Sequence, residues 1–135
     1  MFKWLARHGD IGQFVLRVGL GLMFVFVHGW PKLSGGPERW TAIGGSMGHL
    51  GVHFAPTFWG FMAGALEFVG GVLLVLGLYV RQACMMILIV LMVATVSVLL
   101  RGGGLRGGTA QPIEVGIAVV ALLFLGAGKY AIDKS

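Results

Sequence analysis

The fold class this sequence predicts is all-α: an integral membrane four-helix bundle with an interfacial or re-entrant segment between helices 1 and 2. Composition is the first observation. Of 135 residues 57% are hydrophobic and only 11% charged, and the mean hydropathy is +0.90, so a soluble domain of this length could not cover its surface with charge and lipid must be the solvent. Periodicity is the second. Apolar runs recur along the chain, each near the roughly 20 residues that cross about 30 Å of hydrocarbon. The third is punctuation, since Gly, Pro and basic residues separate the runs. A net charge of +5 does not indicate nucleic acid, because the basic residues flank hydrophobic runs instead of clustering on one face.

Taken in order, the basic start Met1-Phe2-Lys3-Trp4 is followed by a long apolar run without a small-residue cleavage site before Arg17, so a retained first helix is expected, spanning about 11–29. Gly29 and Pro31 should stop it, with Trp30 at a headgroup interface. The glycine-rich segment from Pro31 to Ala55 carries Trp40, His49 and His53 and is too apolar for an ordinary solvated loop. Within it, residues 37–50 are expected to form a short amphipathic helix: Pro37 suits a first turn, and Trp40, Ile43, Met47 and Leu50 lie three, four and three apart. The second, third and fourth spans fall at about 57–79, 83–100 and 112–130. A tight turn carrying Arg81 joins the second to the third, and a flexible Gly-rich loop from Arg101 to Gly108 joins the third to the fourth. Residues 1–135 read as one domain.

An even number of spans puts both termini on one side of the membrane. Lys3, Arg7, Arg81, Lys129 and Lys134 would then oppose Lys32, Arg39, Arg101 and Arg106, and the basic flank of the first span favours cytoplasmic termini in a cell inner membrane.

Charged residues inside a span cost a few kcal/mol each, about 2.5–3.5 on insertion scales, so Arg17 and Glu67 demand an explanation. Glu67 shares one helix face with Gly60, Gly64 and Gly71, at intervals of four, three and four, a small-residue seam that lets a second helix come close and bury the carboxylate. Arg17, Gly21 and His28 form a similar stripe on the first span. The two stripes are expected to meet and pair Arg17 with Glu67. That pair reads either as a packing device or as a proton, substrate or quinone site. His28 and Glu114 are expected together at the outer end, Glu114 being also favourably placed near a helix N-terminus, and a His beside a carboxylate is a plausible proton acceptor for quinol chemistry.

Other signals carry less. His49-x-x-x-His53 has the spacing of a two-ligand metal face, but Gly51 weakens the helix and no acidic or Cys ligand follows, so no metal is expected. Cys84 is the single cysteine, which rules out an intrachain disulfide or Cys-pair redox centre. Met85, Met86 and Met92 read as lipid-facing or gap-filling side chains. Neither glycine cluster of the 101–108 loop has the strand, Lys and Ser/Thr of a phosphate loop.

These residues resemble the DoxX family of small four-helix bacterial membrane proteins over nearly the whole chain. The resemblance is carried by Leu16-Arg17-Val-Gly-Leu-Gly-Leu-Met-Phe with His28-Gly29 and Lys32, by Ala65-Leu66-Glu67-Phe-Val-Gly70-Gly71 running on to Leu76-Gly77-Leu78-Tyr79 and Arg81, and by Glu114. The ending Gly126-Ala-Gly128-Lys-Tyr130-Ala-Ile-Asp133 is similar to the family's, with Ala127 and Ala131 in place of a proline and a serine. The resemblance implies a membrane subunit of a redox or oxidative-stress and thiol-homeostasis complex. A quinone-accessible polar pocket is then expected from Arg17, His28, Glu67 and Glu114, with Lys32 joining Arg17, His28 and Glu67 in contact with the quinone. The chain shows no electron carrier of its own, so a partner redox protein is implied, and the small-residue seams also suit a homo-oligomer. Two other readings stand beside this one: a membrane scaffold or assembly protein whose buried Arg/Glu pair specifies helix packing, and a small transporter.

Overall fold

The computed structural model describes residues 2–132; the expected acidic residue Asp133 and the flanking Lys134 lie outside them. Among the described residues the ordered elements are helical. Helix α1 is Phe2–Arg7, α2 is Gly9–Ser34, α3 is Gly36–Gly44, α4 is Pro56–Leu76, α5 is Val80–Leu100 and α6 is Ala110–Leu125. Helices α2, α4 and α5 are long and apolar enough to cross a membrane. The 16-residue α6 rises only about 24 Å.

Helix α2 differs from expectation at Pro31. The chain does not stop there: it widens into a π-helical turn over Phe24–Gly29, where the backbone N–H of Trp30 donates to the carbonyl of Val25, and returns to α-geometry over Trp30–Ser34. Proline lacks an N–H and clashes with the carbonyl one turn back, and a wide turn just before it relieves both demands. As a result Lys32 stays on the helix. At the other end of the chain α6 stops at Leu125 rather than near Tyr130, because Gly126 turns out of the helix with φ 79°.

Helix α4 is the hub, packed against α2, α3 and α5, while α6 closes the bundle against α5 and α2. The core lies where these meet, around Phe24, Leu74, Ala83, Ile87, Val119 and Leu122. The expected glycine seam holds the centre together. A Cβ on Gly21 would come within 2.8 Å of the Gly71 carbonyl oxygen, and one on Gly71 equally close to that of Gly21. Gly29 abuts the backbone of Phe68, and Gly64 receives Lys32 and Leu33. The expected 37–50 helix forms as α3 followed by a 3-10 turn, Gly45–Leu50. It seats on α4 through backbone approach at Gly44 and Gly60, where a side chain would overlap the carbonyls of Pro56 and Trp40.

Candidate functional site

Two polar clusters lie along α2. The first is at the end near Gly9. Arg17 is 1% exposed, and its Nη1 donates to the carbonyls of Leu74 at 2.6 Å and Val75 at 3.1 Å, while Nη2 donates to that of Tyr130 at 2.7 Å. Leu74 and Val75 belong to the last turn of α4, whose carbonyls have no partner within the helix and cannot turn to water inside a bilayer. A guanidinium there supplies donors and complements the negative end of the helix dipole. The C-terminus of α6 is served in the same way, with Gln13 Nε2 donating to the Gly126 carbonyl at 2.9 Å and Arg81 Nε to that of Leu123 at 3.1 Å. Neither was anticipated, although Gln13 stands four residues before Arg17 in an otherwise apolar run and so shares its face.

The second cluster lies near the other end of α2. Glu67 sits near the middle of α4 with its side chain 4% exposed, and its Oε1 accepts from Lys32 Nζ at 2.5 Å. The expected pairing of Arg17 with Glu67 is therefore corrected: the cation that reaches Glu67 is Lys32, whereas Arg17 meets α4 seven residues further on, about 10 Å along the helix. Both stripes do face each other as expected. The register between them, shaped by the π-turn and by the continuation past Pro31, assigns the partners. The backbone at Lys32 is itself held, since Trp40 Nε1 donates to its carbonyl at 2.9 Å.

His28, one turn before Lys32, is half-buried, packs its ring 5.3 Å from that of Phe24, and lies within electrostatic reach of both Glu67 and Lys32. Its Nε2 comes 3.4 Å from Gln111 Nε2 on the first turn of α6. Glu114, expected near His28, lies exposed on α6 one turn beyond Gln111, the α6 residue whose side chain reaches His28. Lys32, Glu67 and His28 thus come together, and Arg17 stands apart from them. His49 lies in the 3-10 turn and His53 beyond it, and among the described residues no three His, Cys, Asp or Glu side chains converge as metal ligands.

Lys32 also forms part of the wall of a cavity of about 260 Å³. Apart from Ser46 its other walls are apolar, with Trp59, Met62 and Leu66 from α4, Ile89 and Val93 from α5, and Met47 from the 3-10 turn among them. The lysine's side chain is 24% exposed against 4% for its partner, so Lys32 is the more accessible member of the ion pair and the one that borders the cavity. The arrangement can donate hydrogen bonds from Lys32 into an apolar space while Glu67 balances its charge from behind.

An all-helical membrane bundle with a buried ion pair set beside an apolar cavity is the class of protein that fold and site define. The DoxX family model matches residues 12–100, which takes in α2 to α5 together with Arg17, Lys32 and Glu67, and the chain belongs to the DoxX family. It is 35% identical over 92 residues to a protein of Bacillus subtilis (strain 168) named "Putative oxidoreductase CatD". That alignment covers 68% of this chain and 63% of the relative. No solved structure matches the chain.

Proposed function

We propose that this protein is the membrane subunit of a redox complex, of the oxidative-stress or thiol-homeostasis kind, and that it offers a quinone headgroup a seat at Lys32 and Glu67. The observation that carries the reading is the Lys32–Glu67 ion pair, whose lysine lies in the wall of a mostly apolar cavity. About 260 Å³ lies just below the usual range of small-molecule pockets, roughly 300–1,000 Å³: room for a ring, with any long apolar tail left to run out among the lipids. Lys32 would donate to a ring carbonyl oxygen, and Glu67 would keep the ammonium oriented. His28 stands between this pair and Gln111 at the start of α6, placed to pass a proton between the ion pair and the loop end of the bundle. A bound quinone supplies the capacity to take up two electrons and two protons. The electrons would come from a partner protein, and a redox role is in keeping with the oxidoreductase name of the Bacillus relative. The basic flank of α2 supports cytoplasmic termini in an inner membrane.

The test is saturable binding of a ubiquinone or menaquinone analogue to the purified protein in nanodiscs, comparing wild type with Lys32→Met and Glu67→Gln at matched thermal stability. Binding lost in both variants is the expected result. Absence of binding to the wild type, or equal binding in all three, overturns the proposal.

A second reading has its own observation. Glu67 is satisfied by Lys32 within a glycine-lined helix seam, which suits a scaffold whose ion pair sets helix register. Exchanging the charges, Lys32→Glu with Glu67→Lys, separates the readings: a scaffold keeps its fold and assembly, whereas a quinone seat loses its donor on the cavity side.

A further inference from the structure

Helix α1 is six residues long and none of them is buried. A helix that short does not hold its shape in water, where about 12–15 residues are marginal even for good formers. It is set off from α2 at His8, whose φ of −115° and ψ of 41° leave helical geometry. It is also closed as a unit, since His8 Nδ1 lies 2.7 Å from the Trp4 carbonyl oxygen and the two rings stack 4.5 Å apart.

Its two basic side chains share one narrow arc, with Trp4, 59% exposed, lying between Arg7 and Leu5 around the helix. Phe2, Leu5 and Ala6 lie three and four residues apart on one arc, Lys3 and Arg7 four apart on another. Phe2 is 72% and Leu5 55% exposed, and neither basic residue forms an ion pair among the described residues. Charge distinguishes the two ends of the bundle as well. The α1 end carries Lys3, Arg7, Arg81 and Lys129 against Asp10, whereas the loop end sets Arg39, Arg101 and Arg106 against Glu38 and Glu114, Lys32 being neutralised by Glu67.

We propose that α1 is an interfacial anchor that binds the headgroups of anionic phospholipids, its apolar arc sunk at the acyl boundary and Lys3 and Arg7 paired with lipid phosphates. Interfacial helices draw their order from such burial combined with attraction to anionic lipid, which accounts for the order of a short helix that buries none of its described side chains in the bundle. The α1 end is the more basic end of the bundle, so the anchor sits at the leaflet richer in anionic lipid.

Because α1 buries nothing, substitutions on it leave the bundle folded. The test uses the full chain with Cys84→Ala and Leu5→Cys carrying an environment-sensitive fluorophore, in nanodiscs of phosphatidylcholine with and without phosphatidylglycerol. The label is expected to be quenched by lipids spin-labelled near the headgroup. The affinity for phosphatidylglycerol, read by native mass spectrometry of retained lipid, is expected to fall roughly fivefold for each of Lys3→Gln and Arg7→Gln. A water-exposed label overturns the proposal. So does quenching with lipid selectivity unchanged in the variants, and so does a label shielded from both water and lipid in a particle of doubled mass, which would put a second copy against α1.

Discussion

Arg17 and Lys32 are both basic residues on α2, a helix long and apolar enough to cross a membrane, and they meet the cost of a charge there in different ways. Arg17 is wholly enclosed and spends its donors on backbone carbonyls at the end of α4 and at Tyr130. Lys32 is partly open, has a carboxylate as partner and borders a cavity. In the first arrangement Nη1 and Nη2 are taken up by carbonyls, while the enclosed Nε has no partner among the described residues. Arginine suits it because a planar fork of fixed donors can reach several carbonyls at once, whereas the compact, flexible ammonium of lysine can turn between Glu67 and a guest. An intramembrane charge is thus no guide to function by itself; what its remaining donors face decides.

The contrast can be broken by measurement. Arg17→Met strips the donors from three carbonyls, buried at Leu74 and part-buried at Val75 and Tyr130, and is expected to cost about 3–5 kcal/mol of stability, read by denaturant-induced unfolding in detergent micelles; a loss well under 1 kcal/mol would show that the clamp is ornamental. Gly71→Val sits on the seam between the two clusters and should cost about 1–3 kcal/mol by pushing α2 from α4, seen as a lowered Tm. Glu67→Gln still accepts a hydrogen bond from Lys32, so its stability cost is expected near 1 kcal/mol, while quinone-analogue affinity should drop about tenfold or more, equivalent to about 1.4 kcal/mol. Large destabilisation with unchanged affinity would move the pair into the same structural class as Arg17. The smallest effect is expected from His28→Gln, under about 1 kcal/mol in stability, with its consequence confined to the rate of proton delivery in a reconstituted quinone-reduction assay.

Much of this architecture could be read from the chain before folding. Apolar run length marks the helices, and the four-three-four spacing of Gly60, Gly64, Glu67 and Gly71 marks the buried face of α4, because glycine on a helix face in lipid has few uses other than close approach. The helix in the 37–50 segment follows from Pro37 and the spacing of its apolar residues. The partner of Glu67 did not follow. Arg17 and Lys32 lie on the same helix fifteen residues apart, and choosing between them needs the vertical register of α2 against α4. The end capping by Gln13 and Arg81 was equally hidden, since it joins residues more than forty apart in sequence.

What the sequence alone determines is therefore the solvent, the helices and the faces they bury, since these follow from local hydropathy and from a fixed helical repeat. What only the tertiary structure decides is which polar group meets which. A π-turn at Phe24–Gly29 and an unbroken helix through Pro31 set α2 against α4 so that Lys32 meets Glu67 and Arg17 meets the helix end. Buried donors and acceptors in lipid must be satisfied by whatever the packing brings within about 3 Å, and that is a property of the folded register and not of any stretch of chain.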